Sequence, residues 1–156
     1  MAALPPSAAT TLKYRFGRSA VHEWGLFAAA PLAAGEHVIE YTGELVGNAV
    51  CDARERRYQA QGTDNYLFRL DASWVVDATR AGNAARFVNH SCAPNCRSRV
   101  LPGGPAGRGR VVIEALRDVA AGEELTYDYK FDIEPDANGK KIACRCGAPT
   151  CRGTMN

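Results

Sequence analysis

The chain carries almost no excess of charge of either sign: 19 basic residues against 17 acidic ones leave a formal net charge of +2. That excludes the broad electrostatic footprint of a nucleic-acid-coating protein. No apolar run approaches the roughly 20 residues needed to cross a bilayer. The opening stretch M-A-A-L-P-P-S-A-A-T-T-L lacks a basic n-region and a continuous apolar core. It does not read as a signal peptide, which predicts an intracellular chain whose thiols stay reduced. There is no internal repeat, no coiled-coil heptad, no alternating β-α rhythm and no basic targeting run. What remains is a globular composition, 46% hydrophobic over 156 residues, enough for one domain with a real core.

Six cysteines are the first positive feature. Clustered thiols in a reducing compartment point to metal before disulfides. Cys51 stands alone in a polar, helix-like stretch and is set aside. Cys144, Cys146 and Cys151 follow C-x-C-x4-C. Three thiolates do not close a tetrahedral zinc site, so a fourth ligand has to come from elsewhere. The segment R-F-V-N-H-S-C-A-P-N-C, from Arg86 to Cys96, offers both Cys92 and Cys96. Such a filled site is structural, and it orders a short tail that buries little surface by itself. The bland alternative is a set of reduced core thiols.

Local patterning predicts a mainly β domain. Residues 1–12 read as a flexible tail, with structure beginning near Lys13. Strands are expected over Val21–Phe27, His37–Tyr41, Tyr66–Leu70, Trp74–Asp77 and Leu125–Tyr129. A hairpin is expected from Arg97–Leu101 and Arg110–Leu116 around the P-G-G-P-A-G loop. One helix is expected over Asn48–Gln61, capped by Asn48 and ended by Gly62. Ala81–Val88 reads as a helical turn. Tyr41, Tyr66, Tyr127 and Tyr129 each fall in a stretch assigned to strand. Arg86 and Asp128 are candidates for buried ion pairs, and Glu123 and Glu124 read as architectural.

Three segments stand in order: R-F-V-N-H-S-C-A-P-N-C, then G-E-E-L-T-Y-D-Y from Gly122 to Tyr129, then C-R-C-G-A-P-T-C from Cys144 to Cys151. In this order they resemble the SET-domain protein lysine methyltransferases with a cysteine-rich post-SET tail. The resemblance runs from about Lys13 to Asn156. It implies a β-clip of several small sheets with one main helix and a threaded, pseudoknot-like C-terminal arrangement. It divides the chain into a SET domain over 13–131 and a post-SET tail over 132–156.

The resemblance also implies site residues. Cys92 would complete the zinc site with Cys144, Cys146 and Cys151. Asn89 and His90 would bind S-adenosylmethionine, aided by His22, Trp24, Tyr66 and Arg145, with Gly25 allowing close backbone approach. Tyr129 matches the catalytic tyrosine, and Tyr127 the position that controls how many methyl groups are added. Tyr41 and Phe68 match channel-lining positions. A channel walled by aromatic rings suits this chemistry. The lysine amine has a reference pKa of about 10.4 and must be neutral to attack a sulfonium methyl group. Tyrosine hydroxyls and backbone carbonyls then orient the nitrogen.

S-A-V-H-E-W-G-L-F, V-V-D-A-T, A-L-R-D, E-E-L-T-Y-D-Y-K-F and C-G-A-P-T-C-R-G-T-M-N look most like the trithorax/COMPASS-type branch. That branch acts on the histone H3 tail at its fourth-position lysine. It implies a nuclear location and accessory subunits, a WD-repeat propeller and a SPRY-domain protein. The ending at Asn156 is similar to that branch's C-terminus, which suggests the catalytic end of a longer protein or a compact stand-alone relative. Two other readings remain open at this point: a methyltransferase with a different lysine target, and a zinc-stabilised histone-tail binding module without turnover. A small zinc-dependent nucleic-acid binder is weaker, and no membrane association is expected.

Overall fold

The computed structural model describes residues 12–131 and 141–155, so most of the expected N-terminal tail and the start of the C-terminal tail lie outside the described residues. The described chain is mainly β, with one helix. The strands are β1 (Tyr14–Arg18), β2 (Trp24–Ala28), β3 (His37–Tyr41), β4 (Glu44–Gly47), β5 (Leu67–Arg69), β6 (Trp74–Asp77), β7 (Asn89–His90), β8 (Cys96–Leu101), β9 (Arg110–Ala115) and β10 (Thr126–Tyr127). The helix α1 spans Asn48–Ala60. Four small sheets result: β1 with β2, β3-β9-β8, β4-β6-β5, and β7 with β10.

The middle strand β9 explains the core. Its V-V-I-E-A run is buried at every position, as expected for a strand covered on both faces. The one charge in that run, Glu114, is balanced by Arg97 and Arg99 from β8 and faces His37 from β3. A buried carboxylate needs such partners. Leu26, Val88 and Leu125 pack in one cluster with Ile113 of this run, all four fully buried. This cluster also holds Tyr127, with Tyr129 and Phe68 packed against it, so the core directly supports the tyrosine strand.

The helix starts as predicted, but Asn48 is not its cap. Gly47 holds that position, without a side-chain bond. Asn48 instead donates through Nδ2 to the Ala72 carbonyl at 2.9 Å and accepts from Arg69 at 3.1 Å. Its side chain is spent tying the helix to the β5–β6 turn. The other end behaves as expected. Gly62 has φ +61, its N–H reaches Gln59, and the Thr63 N–H reaches Tyr58, a glycine-terminated stop. The helix is fastened by polar contacts: Arg54 bridges Glu44 and Asp77, and the Tyr58 hydroxyl donates to Asp77 at 2.9 Å.

Three expected strands are shorter than their patterns. Val21–Phe27 becomes Trp24–Ala28, because residues 19–23 fold around Ser19, whose Oγ accepts from the Val21 and His22 N–H groups. Tyr66–Leu70 becomes Leu67–Arg69. Leu125–Tyr129 becomes Thr126–Tyr127, because Asp128 accepts from the Lys130 N–H and Lys130 takes φ +47. The helical turn narrows to Ala84–Phe87, capped by Asn83. The β8–β9 hairpin forms as expected, whereas β1 and β4 carry no alternation strong enough to read.

Candidate functional site

Local pairing builds the site. β7 and β10 lie side by side in parallel, with Asn89 opposite Thr126 and His90 opposite Tyr127. The Ser91 N–H extends the ladder to the Tyr127 carbonyl at 3.2 Å. Two signature segments far apart in sequence therefore share one edge. Beside them opens a cleft of about 550 Å³, a volume suited to a nucleoside-sized ligand. Its walls come from Val21, His22 and Trp24, from Tyr66, from Phe87, Asn89 and His90, from Tyr129 and from the C-terminal tail.

All six residues predicted to touch a cofactor line this cleft: His22, Trp24, Tyr66, Asn89, His90 and Arg145. Trp24 sits at the rim, stacked on Phe16 at 4.8 Å with the Arg18 guanidinium 4.1 Å from its ring. Asn89 has its amide nitrogen committed inward. It donates to the Trp24 carbonyl at 2.8 Å and to the Glu124 carboxylate at 2.8 Å. Ser19 donates to the same carboxylate oxygen at 2.7 Å. Gly25 has a role the sequence did not reveal. A Cβ there would collide with Glu124 and stand 3.1 Å from the Asn89 amide, so the missing side chain makes room for this network.

His90 links the tyrosine strand to the thiols. The Tyr129 N–H donates to its Nδ1 at 3.2 Å, which places the ring proton on Nε2, 3.5 Å from the Cys92 sulfur. Burial pulls this imidazole down from its ordinary value, against the opposing pull of Asp128.

Behind the cleft runs a row of rings. Tyr41 and Phe68 lie 5.3 Å apart, Phe68 and Tyr127 6.4 Å, and Tyr127 and Tyr129 4.9 Å. Tyr129 belongs to both the row and the cleft wall. Its hydroxyl donates to the Val88 carbonyl at 2.9 Å. Burial pushes the phenols of Tyr41, Tyr127 and Tyr129 well up, so all three stay protonated at neutral pH. They can orient a ligand by hydrogen bonds but do not serve as phenolate bases.

The four thiols of Cys92, Cys144, Cys146 and Cys151 lie within 4.8 Å of one another. The Cys92 sulfur is 3.6 Å from that of Cys144 and 3.9 Å from that of Cys151. A tetrahedral thiolate site with metal–sulfur bonds of about 2.3 Å has sulfur–sulfur edges of about 3.8 Å. The donor set therefore fits a closed metal site. Burial works against a Cys146 thiolate, but the backbone N–H groups of Cys92 and Ala148 and the neighbouring thiols prevail and draw it down to about 6. The rival ligand Cys96 is excluded by position. It is fully buried in the core, where burial raises its thiol to about 11.

Arg86 and Asp128 do not pair with each other. Arg86 donates to the Ala78 and Thr79 carbonyls, with its guanidinium 4.7 Å from the Phe87 ring. Asp128 instead forks with Arg152 of the tail at 2.8 and 2.9 Å. Glu123 and Glu124 are architectural, as expected. Glu123 holds Arg117, the Asn95 amide and the Ala120 N–H. Sequence reasoning missed Phe87, Ser19 and Arg152, whose roles depend on contacts between distant segments.

The SET domain family matches residues 23–130. The chain is 51% identical over 142 residues, 90% of its length, to "Histone-lysine N-methyltransferase, H3 lysine-4 specific" of Saccharomyces cerevisiae, covering 13% of that protein. It is 51% identical over 143 residues, 91% of its length, to the protein of the same description in Yarrowia lipolytica, covering 12% of it. It is 48% identical over 145 residues, 92% of its length, to "Histone-lysine N-methyltransferase SETD1A" of Homo sapiens, covering 8% of it. The chain thus spans only a small part of the length of the curated relatives it matches. The chain belongs to the SET-domain family.

Proposed function

We propose that this chain is an S-adenosylmethionine-dependent protein lysine methyltransferase acting on the fourth-position lysine of the histone H3 tail. The observation that carries the reading is the shared position of Tyr129, which walls the ligand-sized cleft and packs against Tyr127 in the row of aromatic rings. The target follows the printed specificity of the relatives in Saccharomyces cerevisiae and Yarrowia lipolytica. A histone substrate implies a place on chromatin, hence in the nucleus. The branch further suggests WD-repeat and SPRY-domain partners.

Adenosylmethionine, when bound, supplies an electrophilic methyl group on a sulfonium. His22, Trp24, Tyr66, Asn89, His90 and Arg145 are the residues that would hold it. Phe68, Tyr41 and Tyr127 would enclose the aliphatic stem of the substrate lysine and keep bulk water away. In that dry environment the ammonium form is penalised, which helps the amine reach its neutral state. With all three phenols protonated, no tyrosine accepts the amine's proton, which must leave to solvent before transfer. Tyr129, held by Val88, would orient the reacting groups through its hydroxyl oxygen. Tyr127 would hold a hydroxyl in the space that a methylated amine needs, favouring monomethylation by the isolated domain.

Cys92, Cys144, Cys146 and Cys151 would hold one zinc ion. Four thiolates leave no open position for substrate, so its role is to fasten the tail to the domain. Tyr129→Phe tests the reading: methyl transfer falls by about a hundredfold or more while adenosylmethionine binding by calorimetry stays within a few-fold. Full activity in this variant would remove Tyr129 from the chemistry. Unimpaired histone-peptide binding with no cofactor binding in the parent protein would favour a non-catalytic reader instead.

A further inference from the structure

Besides the thiols, a second contact joins the tail to the domain. Arg152 directly follows the last cysteine of the cluster, and its guanidinium forks onto both oxygens of Asp128 at 2.8 and 2.9 Å. Its backbone N–H points to the Cys92 sulfur at 3.4 Å. Asp128 lies between Tyr127 and Tyr129. Those two rings pack against each other, leaving the intervening carboxylate to face the tail. The same carboxylate accepts from the Lys130 N–H, which fixes the bend that ends β10. Its Oδ1 also lies 3.6 Å from Nδ1 of His90, the atom that receives the Tyr129 N–H.

The tail supplies one wall of the cleft through Ile142, Cys144, Arg145 and Met155. Among the described residues the tail is braced by Cys144 N–H to Gly153, Cys151 N–H to Ala148 and Met155 N–H to Ile142, with the Cys146 and Gly153 N–H groups turned to the Cys144 and Cys151 sulfurs. A thiol–metal cluster would join the tail to the domain through one residue of the domain, Cys92. A bidentate arginine–carboxylate fork fixes direction as well as distance. We propose that the Arg152–Asp128 pair is a positioning contact that sets the tail at the correct angle over the cleft, so that cofactor affinity depends on it. This inference rests on the proposed cofactor reading but has a readout of its own.

The test uses the full zinc-loaded chain and the variants Arg152→Ala, Arg152→Lys, Asp128→Asn and the Arg152→Ala/Asp128→Asn double. Amide hydrogen exchange at Cys144, Cys151 and Met155 should quicken in Arg152→Ala. The adenosylmethionine KM should rise by about two- to five-fold, with kcat at saturating cofactor changed much less. Arg152→Lys, which keeps the charge and loses the fork, should fall between. The double variant should be no worse than the poorer single one. Exchange and KM at parental values in Arg152→Ala would overturn the proposal. So would additive losses in the double variant, or a loss confined to kcat. If the parent protein binds no adenosylmethionine, the cofactor reading fails, and the exchange rates still decide whether this pair orders the tail.

Discussion

Replacing Gly25 by alanine tests how the front wall of the cleft is built. The new Cβ would meet the Glu124 carboxylate and stand 3.1 Å from the Asn89 amide. A glutamate tip in open space would swing aside at little cost. Here it accepts from Ser19 at 2.7 Å and from Asn89 at 2.8 Å, so displacement breaks two bonds to a charged acceptor. Bonds of that kind contribute about 1.5–3 kcal/mol each. Water recovers part of this at a half-buried site, and alanine is slightly better than glycine in a strand. The net cost should be about 2–3 kcal/mol, read as a lower urea midpoint with unchanged slope. Because Asn89 and the 19–24 loop shift together, adenosylmethionine affinity should fall by about ten-fold or more. The decisive control is Glu124→Ala, which empties the space the Cβ needs. On that background Gly25→Ala should cost less than about 1 kcal/mol. Equal costs in both backgrounds would refute the reasoning and return Gly25 to the simpler role of close approach to a ligand.

Other outcomes follow from the same geometry. Tyr127→Phe should keep activity and shift products toward di- and trimethyl-lysine, scored by mass spectrometry under multiple turnover; an unchanged product pattern would refute the account of product control. Cys92→Ser should abolish stoichiometric zinc, whereas Cys96→Ser should retain it and lose only stability, as metal analysis of both proteins would show. Glu123 is held at about 2 in the fold, chiefly by Arg117, against an ordinary value of 4.5. Its folded value is depressed, so its contribution is present above pH 4.5 and is lost as pH falls toward 2. Urea midpoints measured across that range should drop less steeply in Arg117→Met than in the parent protein.

The chemistry was more legible in the sequence than the scaffold was. C-x-C-x4-C called for a fourth thiol, and the structure brings that of Cys92 within 4.8 Å of the other three. The six residues expected at the cofactor all line one cleft, and five of them, all but Tyr66, sit within a dense local motif. Strand limits were harder to read. β10 has two residues because Asp128 diverts the chain into a turn, and hydrophobic alternation carries no trace of that bond. Asn48 has a good capping side chain but spends it on the Ala72 carbonyl, a contact across the β5–β6 turn. The networks around Glu124 and Arg152 were invisible for the same reason. Each joins residues tens of positions apart, and such partners declare themselves only when the chain is folded.

The central claim is methyl transfer to one lysine of the histone H3 tail. The most direct measurement is mass spectrometry of an unmethylated H3 tail peptide incubated with this protein and adenosylmethionine, beside a copy with arginine at the fourth position. A single added methyl group is expected on the first peptide and none on the second. Methylation of both peptides would contradict the assigned target, and methylation of neither, under conditions where the cofactor binds and accessory subunits are supplied, would contradict the activity itself.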